Sequence, residues 1–295
     1  MLANAGRVYV WDSLPLNGEL PTRTLAGRIG TNNLGQLRGV AMDTNFFYLA
    51  DYDSQRVLVF AGLPATNDNP VAILQPGGRP GRLSSDGTWL AVPVEGQGGP
   101  HSVKLYRVAD LPGSTTPVRS IQSPQVQLNL PGGCTVSHGH LFIGDTSFNR
   151  VLCWSNIADA VAGLAPSVVL GATSLADTNP EIGRDKLFMP GALSFDGQYL
   201  WVGEFKFSSR LLRYSPSSGA RGPTSFIPPF TRSPGSFQAT VAGAAGQRFE
   251  LQSSTNLTDW RGDGFRSLPE NAGTLDVAVP VPPSESKVFL RTRSP

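Results

Sequence analysis

Apolar and polar positions alternate in short runs along most of this chain, and the runs recur in a fixed order. RVLVF (56–60), RVLCW (150–154) and RLLRY (210–214) each open on arginine and each follow a short apolar run that ends in an acidic residue. Alternation of period two, with β-branched and aromatic residues at the apolar positions, predicts strands. Asp43-Thr44-Asn45, Asp86-Gly87, His138-Gly139 and Asp196-Gly197 interrupt the runs where hairpin turns belong. Four stretches share the whole pattern: a glycine, two short strands, an acidic residue, then a third strand opened by Arg or Lys. They are 39–60, 81–108, 132–154 and 191–214.

The spacing predicts how these units assemble. Arg7 to Arg56 is about 49 residues, Arg56 to Arg150 about 94, or two units of about 47, and Arg150 to Arg210 about 60 through an insertion. Four-stranded units of this length are the blades of a β-propeller, because one such sheet cannot bury both its faces alone. The clearest unit reads GVAMD (39–43) as the innermost strand, then FYLAD (47–51), RVLVF (56–60) and PVAILQ (70–75) outermost. RVYVW (7–11) matches a third strand, so the first unit is partial and two strands are expected to be missing before it. About five blades are visible. They are either a fragment of a six-bladed wheel or a ring closed at five.

Two motifs carry a family resemblance. ADYDSQRVLVF (50–60) and GDTSFNRVLCW (144–154) resemble the NHL-type repeat, with its acid, polar loop and Asn-Arg-Val turn. SLP (13–15), GLP (62–64), ADLP (109–112) and VVLGATSLADTNP (168–180) look like a bacterial variety of that repeat. The likeness covers about residues 7–227 and implies a propeller fold. It implies no single activity, since one fold hosts enzymes, sensors and binding platforms. The third unit departs most, with Pro93, Glu95 and Lys104 where the acid–Arg pattern is expected.

Residues 214–236 are rich in Pro, Ser and Gly and read as a linker with one last outer strand. SFQATVAG (236–243), QRFELQSS (247–254), GTLDVAVP (273–280) and KVFLRTR (287–293) then alternate as strands of a small antiparallel β-sandwich. The expected domains are 1–230 and 231–295. FELQSSTNLTDW (249–260) followed by VFLRTR looks like the C-terminal module of many secreted bacterial proteins. That likeness implies export to the cell surface or beyond, although no signal peptide begins the chain. Arg261-Gly262-Asp263 spells an adhesion tripeptide, read here as a turn.

Composition narrows the chemistry. Only 16% of residues are charged and the net charge is +2, with no basic cluster, which argues against nucleic acid as a partner. No apolar run is long enough to cross a bilayer. Cys134 and Cys153 fall on the first and third strands of one unit, about 9–10 Å apart, beyond the roughly 7 Å that a disulfide spans, so both are expected as free buried thiols. His138 and His140 lie two apart, a spacing that puts two imidazoles on one side of a strand. His138 nevertheless occupies a hairpin slot, and His101 belongs to another loop. No Gly-x-Ser-x-Gly elbow and no phosphate loop occur.

One constellation remains. Loops after the second strands share a face with the connections between units, and they carry Asp51, Tyr52 and Asp53; Glu95 and Gln97; Asp145 and Phe148; and Glu204, Phe205 and Phe207. Carboxylates and aromatics on one rim can bind a sugar, a peptide or a cation. Alternatively, each acid pairs with the arginine of its own unit and braces the turn. The sequence thus points to a non-catalytic, exported, monomeric propeller that offers this face to a protein or polysaccharide, without a cofactor. The alternative is a metal-dependent hydrolase or lyase with its site at the mouth of the channel.

Overall fold

The computed structural model describes residues 2–4, 6–183, 185–206, 208–214, 224–233, 235–243, 247–269, 273–281 and 287–293. Phe207 and residues 215–223 and 234 of the expected linker lie outside the described residues. The chain divides into two compact units, 1–215 and 216–295.

The first unit is nearly all β, with one short helix at Ile157–Ala162, and propeller-like. Among the described residues it holds five antiparallel sheets in chain order, I to V, plus a short ribbon of Arg28–Ile29 and Asn32–Asn33. Sheet II is the fullest meander, with Leu37–Met42, Phe47–Asp51, Arg56–Phe60 and Ala72–Leu74 each hydrogen-bonded to the next. Sheet IV repeats it with Pro131–Ser137, His140–Asp145, Arg150–Trp154 and Val168–Leu170. Sheet V has three strands, Pro190–Phe195, Leu200–Glu204 and Leu211–Tyr214. In sheet I, Leu2–Asn4 pairs with Arg7–Val10, so a strand stands where the sequence reading placed none; three residues are too few to show alternation.

The sheets stack face to face, which explains why their middle strands are buried on both sides. In Phe47–Asp51 every residue is buried. Phe47 and Leu49 join Val8, Val10 and Leu25 between sheets I and II. Tyr48 and Ala50 point the other way, against Leu90, Val92 and Tyr106 of sheet III. Sheets III and IV share Trp89, Leu105, Val136, Ile143 and Trp154, and IV and V share Phe142, Val151, Phe195 and Val202. Each such side chain removed from water contributes about 1.5–3 kcal/mol. The two cysteines face opposite interlayers, Cys134 toward sheet III and Cys153 toward sheet V, and both are buried free thiols. Burial pushes the Cys153 thiol up to about 12, which makes it inert.

At the inner edges the sheets converge, and the glycine that opens each unit has its cause there. A Cβ on Gly39 would sit 2.6 Å from the Gly81 carbonyl oxygen, and one on Gly133 would sit 2.7 Å from that of Gly191. Backbone hydrogen bonds from Arg82 N–H to Gly132 O (3.2 Å) and from Cys134 N–H to Arg82 O (3.1 Å) join the inner edges of sheets III and IV.

Sheet III breaks the pattern. Its inner edge is two pieces, Arg79–Pro80 and Ser84–Ser85, both paired to Trp89–Glu95, with Ser102–Arg107 and Arg119–Ile121 outside. Pro93 of the second strand has no N–H to give the ladder, and the inner strand parts opposite it.

The second unit has two three-stranded antiparallel sheets. One is Ser225–Ser233, Ser236–Ala242 and Thr274–Pro280; the other has Arg248–Ser254 between Arg261–Ser267 and Phe289–Arg293. They share one apolar cluster that includes Val241, Phe249, Leu251, Val277 and Val279. The domain boundary expected at 230/231 falls inside Ser225–Ser233. That strand lies at an edge and its register slips between Ile227 and Thr231, where Pro228 and Pro229 sit, so its prolines disguise it as linker. Arg261-Gly262-Asp263 opens a strand and is not a turn. Asn256 accepts from the N–H groups of Thr258 and Asp259 in a turn that leads to Trp260, whose ring lies 4.0 Å from the Arg291 guanidinium. No helix among the described residues is long and apolar enough to cross a membrane.

Candidate binding site at the mouth of the inner strands

Register places four acidic residues at one equivalent position. Asp51 pairs with Leu37, Glu95 with Arg79, Asp145 with Pro131 and Glu204 with Pro190, each at the start of an inner strand. Three of the four form the same brace. Asp51 takes Arg56 at 3.0 Å and the Gly35 N–H at 3.1 Å. Asp145 takes Arg150 at 2.9 Å and the Asn129 N–H at 2.7 Å. Glu204 takes Arg210 at 2.7 Å and the Phe188 N–H at 2.7 Å. The far nitrogens of each arginine bond carbonyls of the preceding connection, Asn33, Gln127, and Gly183 and Lys186, and Arg150 also bonds Leu175 of the connection that follows its sheet. Each brace therefore ties the second strand, the third strand and the incoming connection together.

The braces differ electrostatically. Burial drives the Asp145 carboxyl up to about 6 against the pull of the Asn129 N–H and Arg150. Burial also pushes Glu204 up, but hydrogen bonds from Arg210 and the Phe188 N–H outweigh it and hold the carboxyl below its ordinary value.

Sheet III has no brace. Ser102 opens its third strand, so Glu95 has no arginine of its own. It accepts instead the phenolic proton of Tyr52, from sheet II. The Tyr52 ring is held between two guanidinium groups, Arg38 at 3.7 Å and Arg79 at 5.0 Å from its centroid. Desolvation, and then the bond to Glu95, raise the Tyr52 phenol above its ordinary value. Phe205 closes the far side from sheet V, together with Arg82 and Gly132, around a cavity of about 60 Å³.

Three arginines therefore converge where the inner-strand sequences appeared apolar or small. Arg38 is the extra residue of a β-bulge, since the register jumps from Leu37 to Gly39, and bulges re-aim side chains. The equivalent bulge residues are Gly132 and Gly191. Arg82 stands in the gap that Pro93 opens and donates to the Gly191 carbonyl at 3.0 Å. Much of its side chain meets solvent in the open mouth. Its guanidinium is nonetheless walled by protein: desolvation first, and Arg38 second, lower its pKa. The Nε of Arg79 is buried without a hydrogen-bond partner. The arginines adjoining the unit glycines, Arg38-Gly39 and Gly81-Arg82, were the available sequence signal.

Of the rim residues singled out from sequence, Tyr52, Glu95 and Phe205 come together in this cavity. Asp51, Asp145 and Glu204 are held in braces. Asp53 accepts from the Gln36 N–H at 3.1 Å at the exposed edge, and Phe148 lies 5.0 Å from the Arg150 guanidinium and covers that brace. His138, at φ 52°, and His140 pack around Phe195 at the opposite end of the sheets. His101 accepts from the Gly96 N–H at 3.2 Å, so the three imidazoles do not meet. No group of three or more His, Cys, Asp or Glu positioned for a metal occurs among the described residues.

No family model matches the chain, and no curated protein does. Solved structures give distant likenesses. A glutaminyl cyclase of Myxococcus xanthus aligns at TM-score 0.41 and 15% identity over 65% of this chain and 70% of that one. A 6-phosphogluconolactonase-like protein of Bacteroides uniformis gives 0.44 and 14% over 88% and 78%. A glucose dehydrogenase-like protein of Thermus thermophilus gives 0.34 and 14% over 81% and 85%. None reaches a TM-score of 0.5, and we take nothing about the site from them.

Proposed function

We propose that this chain is a non-catalytic binding scaffold, exported from a bacterial cell, whose propeller of NHL-like blades offers the mouth of its inner strands to a protein or polysaccharide. The second unit, read as a small β-sandwich, serves in this account as an accessory module for surface placement. One observation carries the reading. The acids with a sequence signature for chemistry are spent in arginine braces, while the position that lacks a brace gathers arginines and aromatics, groups that recognise. Rigid sheets hold these groups, Arg38, Arg79 and Glu95 at strand positions and Tyr52, Arg82 and Phe205 in the segments beside them. A metal-dependent hydrolase or lyase at the same mouth is disfavoured, because three guanidinium groups against one carboxylate repel a divalent cation.

Immobilised glycans and extracellular proteins, probed with the purified chain, test the reading. Capture of a defined ligand by the wild type, lost in Phe205→Ala and weakened in Tyr52→Ala, is the expected result. No capture above background, or capture indifferent to both substitutions, overturns it.

A further inference from the structure

Around the cavity the charges do not cancel. Glu95 is the one carboxylate that lines it, and Tyr52 already donates to that carboxylate. Against it stand Arg38, Arg79 and Arg82. None of the three is in a salt bridge among the described residues, in contrast to Arg56, Arg150 and Arg210. Desolvation first, and the neighbouring charge of Arg38 second, lower the Arg82 pKa, and Arg79 keeps a buried N–H unused. An anion between them would relieve the repulsion and accept the idle donors.

Size and surroundings define the anion further. A water needs roughly 10–15 Å³ of such space, so about 60 Å³ admits about four to six waters, the room of a carboxylate or sulfate group and less than that of a sugar ring. Phe205 stands beside this opening with 39% of its surface exposed. Its ring lies against Gly191, where a Cβ would come within 3.0 Å of it, so the ring has a fixed seat. A flat apolar face next to a small cationic hollow matches a pyranose that carries an oxyanion, the ring over Phe205 and the charge among the arginines.

We propose that the mouth is a subsite for an acidic saccharide, a sugar bearing a carboxylate or a sulfate ester. The proposal rests on the binding reading above and names the ligand class for the same site. The small hollow takes the oxyanion through Arg38, Arg79 and Arg82.

Calorimetric titration of the full chain with galacturonate, a sulfated galactose, neutral galactose, inorganic sulfate and an Asp/Glu-rich peptide tests it. At least one acidic sugar should bind about tenfold or more tightly than galactose, as expected for one hydrogen-bonded charge. That advantage should vanish in Arg38→Gln, an exposed position that tolerates change, and in Arg82→Gln. Phe205→Ala should weaken the acidic sugar and leave inorganic sulfate unaffected. Whichever of galacturonate and the sulfated sugar binds more tightly identifies the oxyanion. Equal binding of galactose and both acidic sugars, no binding of any acidic sugar, or tighter binding of the peptide that ignores Phe205, overturns the proposal. If the acidic sugars bind as described but no macromolecule is captured, the subsite stands and the scaffold reading falls. Capture of a neutral ligand that ignores Arg38→Gln does the reverse.

Discussion

Arg82 donates to the carbonyl of Gly191 at 3.0 Å, reaching from sheet III to sheet V past the inner strand of sheet IV. The strand it passes presents Gly133, whose absent side chain is what allows the approach: a Cβ there would lie 3.3 Å from that of Arg82 and 2.7 Å from the Gly191 oxygen. Convergence of the sheets and the position of Arg82 thus have the same cause.

Substitution at the inner glycines tests that cause. Gly39→Ala and Gly133→Ala must push neighbouring backbone aside and should each destabilise the chain by about 1–3 kcal/mol in denaturant unfolding. Gly99→Ala meets no atom within 4 Å and should change stability by less than about 0.5 kcal/mol.

The braces should not be equal. Arg150 is buried with its side chain 2% exposed, while Arg56 is 18% exposed. Asp145→Ala leaves the buried Arg150 guanidinium and the Asn129 N–H without their acceptor and should cost about 3–5 kcal/mol. Asp51→Ala leaves its arginine in reach of water and should cost clearly less. Equilibrium unfolding of the two variants checks the order.

Acid should act on two of the braces with opposite sign. Unfolded Asp145 takes its proton near 3.8 and folded Asp145 near 6, so between those values the folded chain binds more protons. Its contribution to stability therefore grows as pH falls from about 6 to about 4. Folded Glu204 titrates below its ordinary 4.5, so its contribution is complete above 4.5 and is lost as pH falls through the folded value. Carboxyl carbon NMR titrations check both positions. Asp145→Asn should remove the change in stability between pH 4 and 6, and Glu204→Gln should remove part of the loss below 4.5.

These contrasts also mark what the chain discloses in one dimension. Alternation in RVLVF and RVLCW and the recurring glycines were enough to read sheets II and IV, because local period and turn chemistry agree there. Leu2–Asn4 was too short to alternate, Ser225–Ser233 was hidden by its prolines, and Arg261–Ser267 by Gly262 and Gly264. At the site, the loop positions of Tyr52, Glu95 and Phe205 could be read from strand order. Arg38, Arg79 and Arg82 could not, since a bulge and a break opposite Pro93 aim Arg38 and Arg82, and both are products of pairing between distant segments.

The central claim is that arginines in braces hold the fold while arginines at the mouth recognise. Nε–H NMR signals of the arginines, followed while galacturonate or the sulfated galactose is added to the full chain, test it most directly. The account predicts that the signals of Arg38, Arg79 and Arg82 move and saturate, while those of Arg56, Arg150 and Arg210 stay in place. Movement of the brace signals with the mouth arginines unmoved would contradict it.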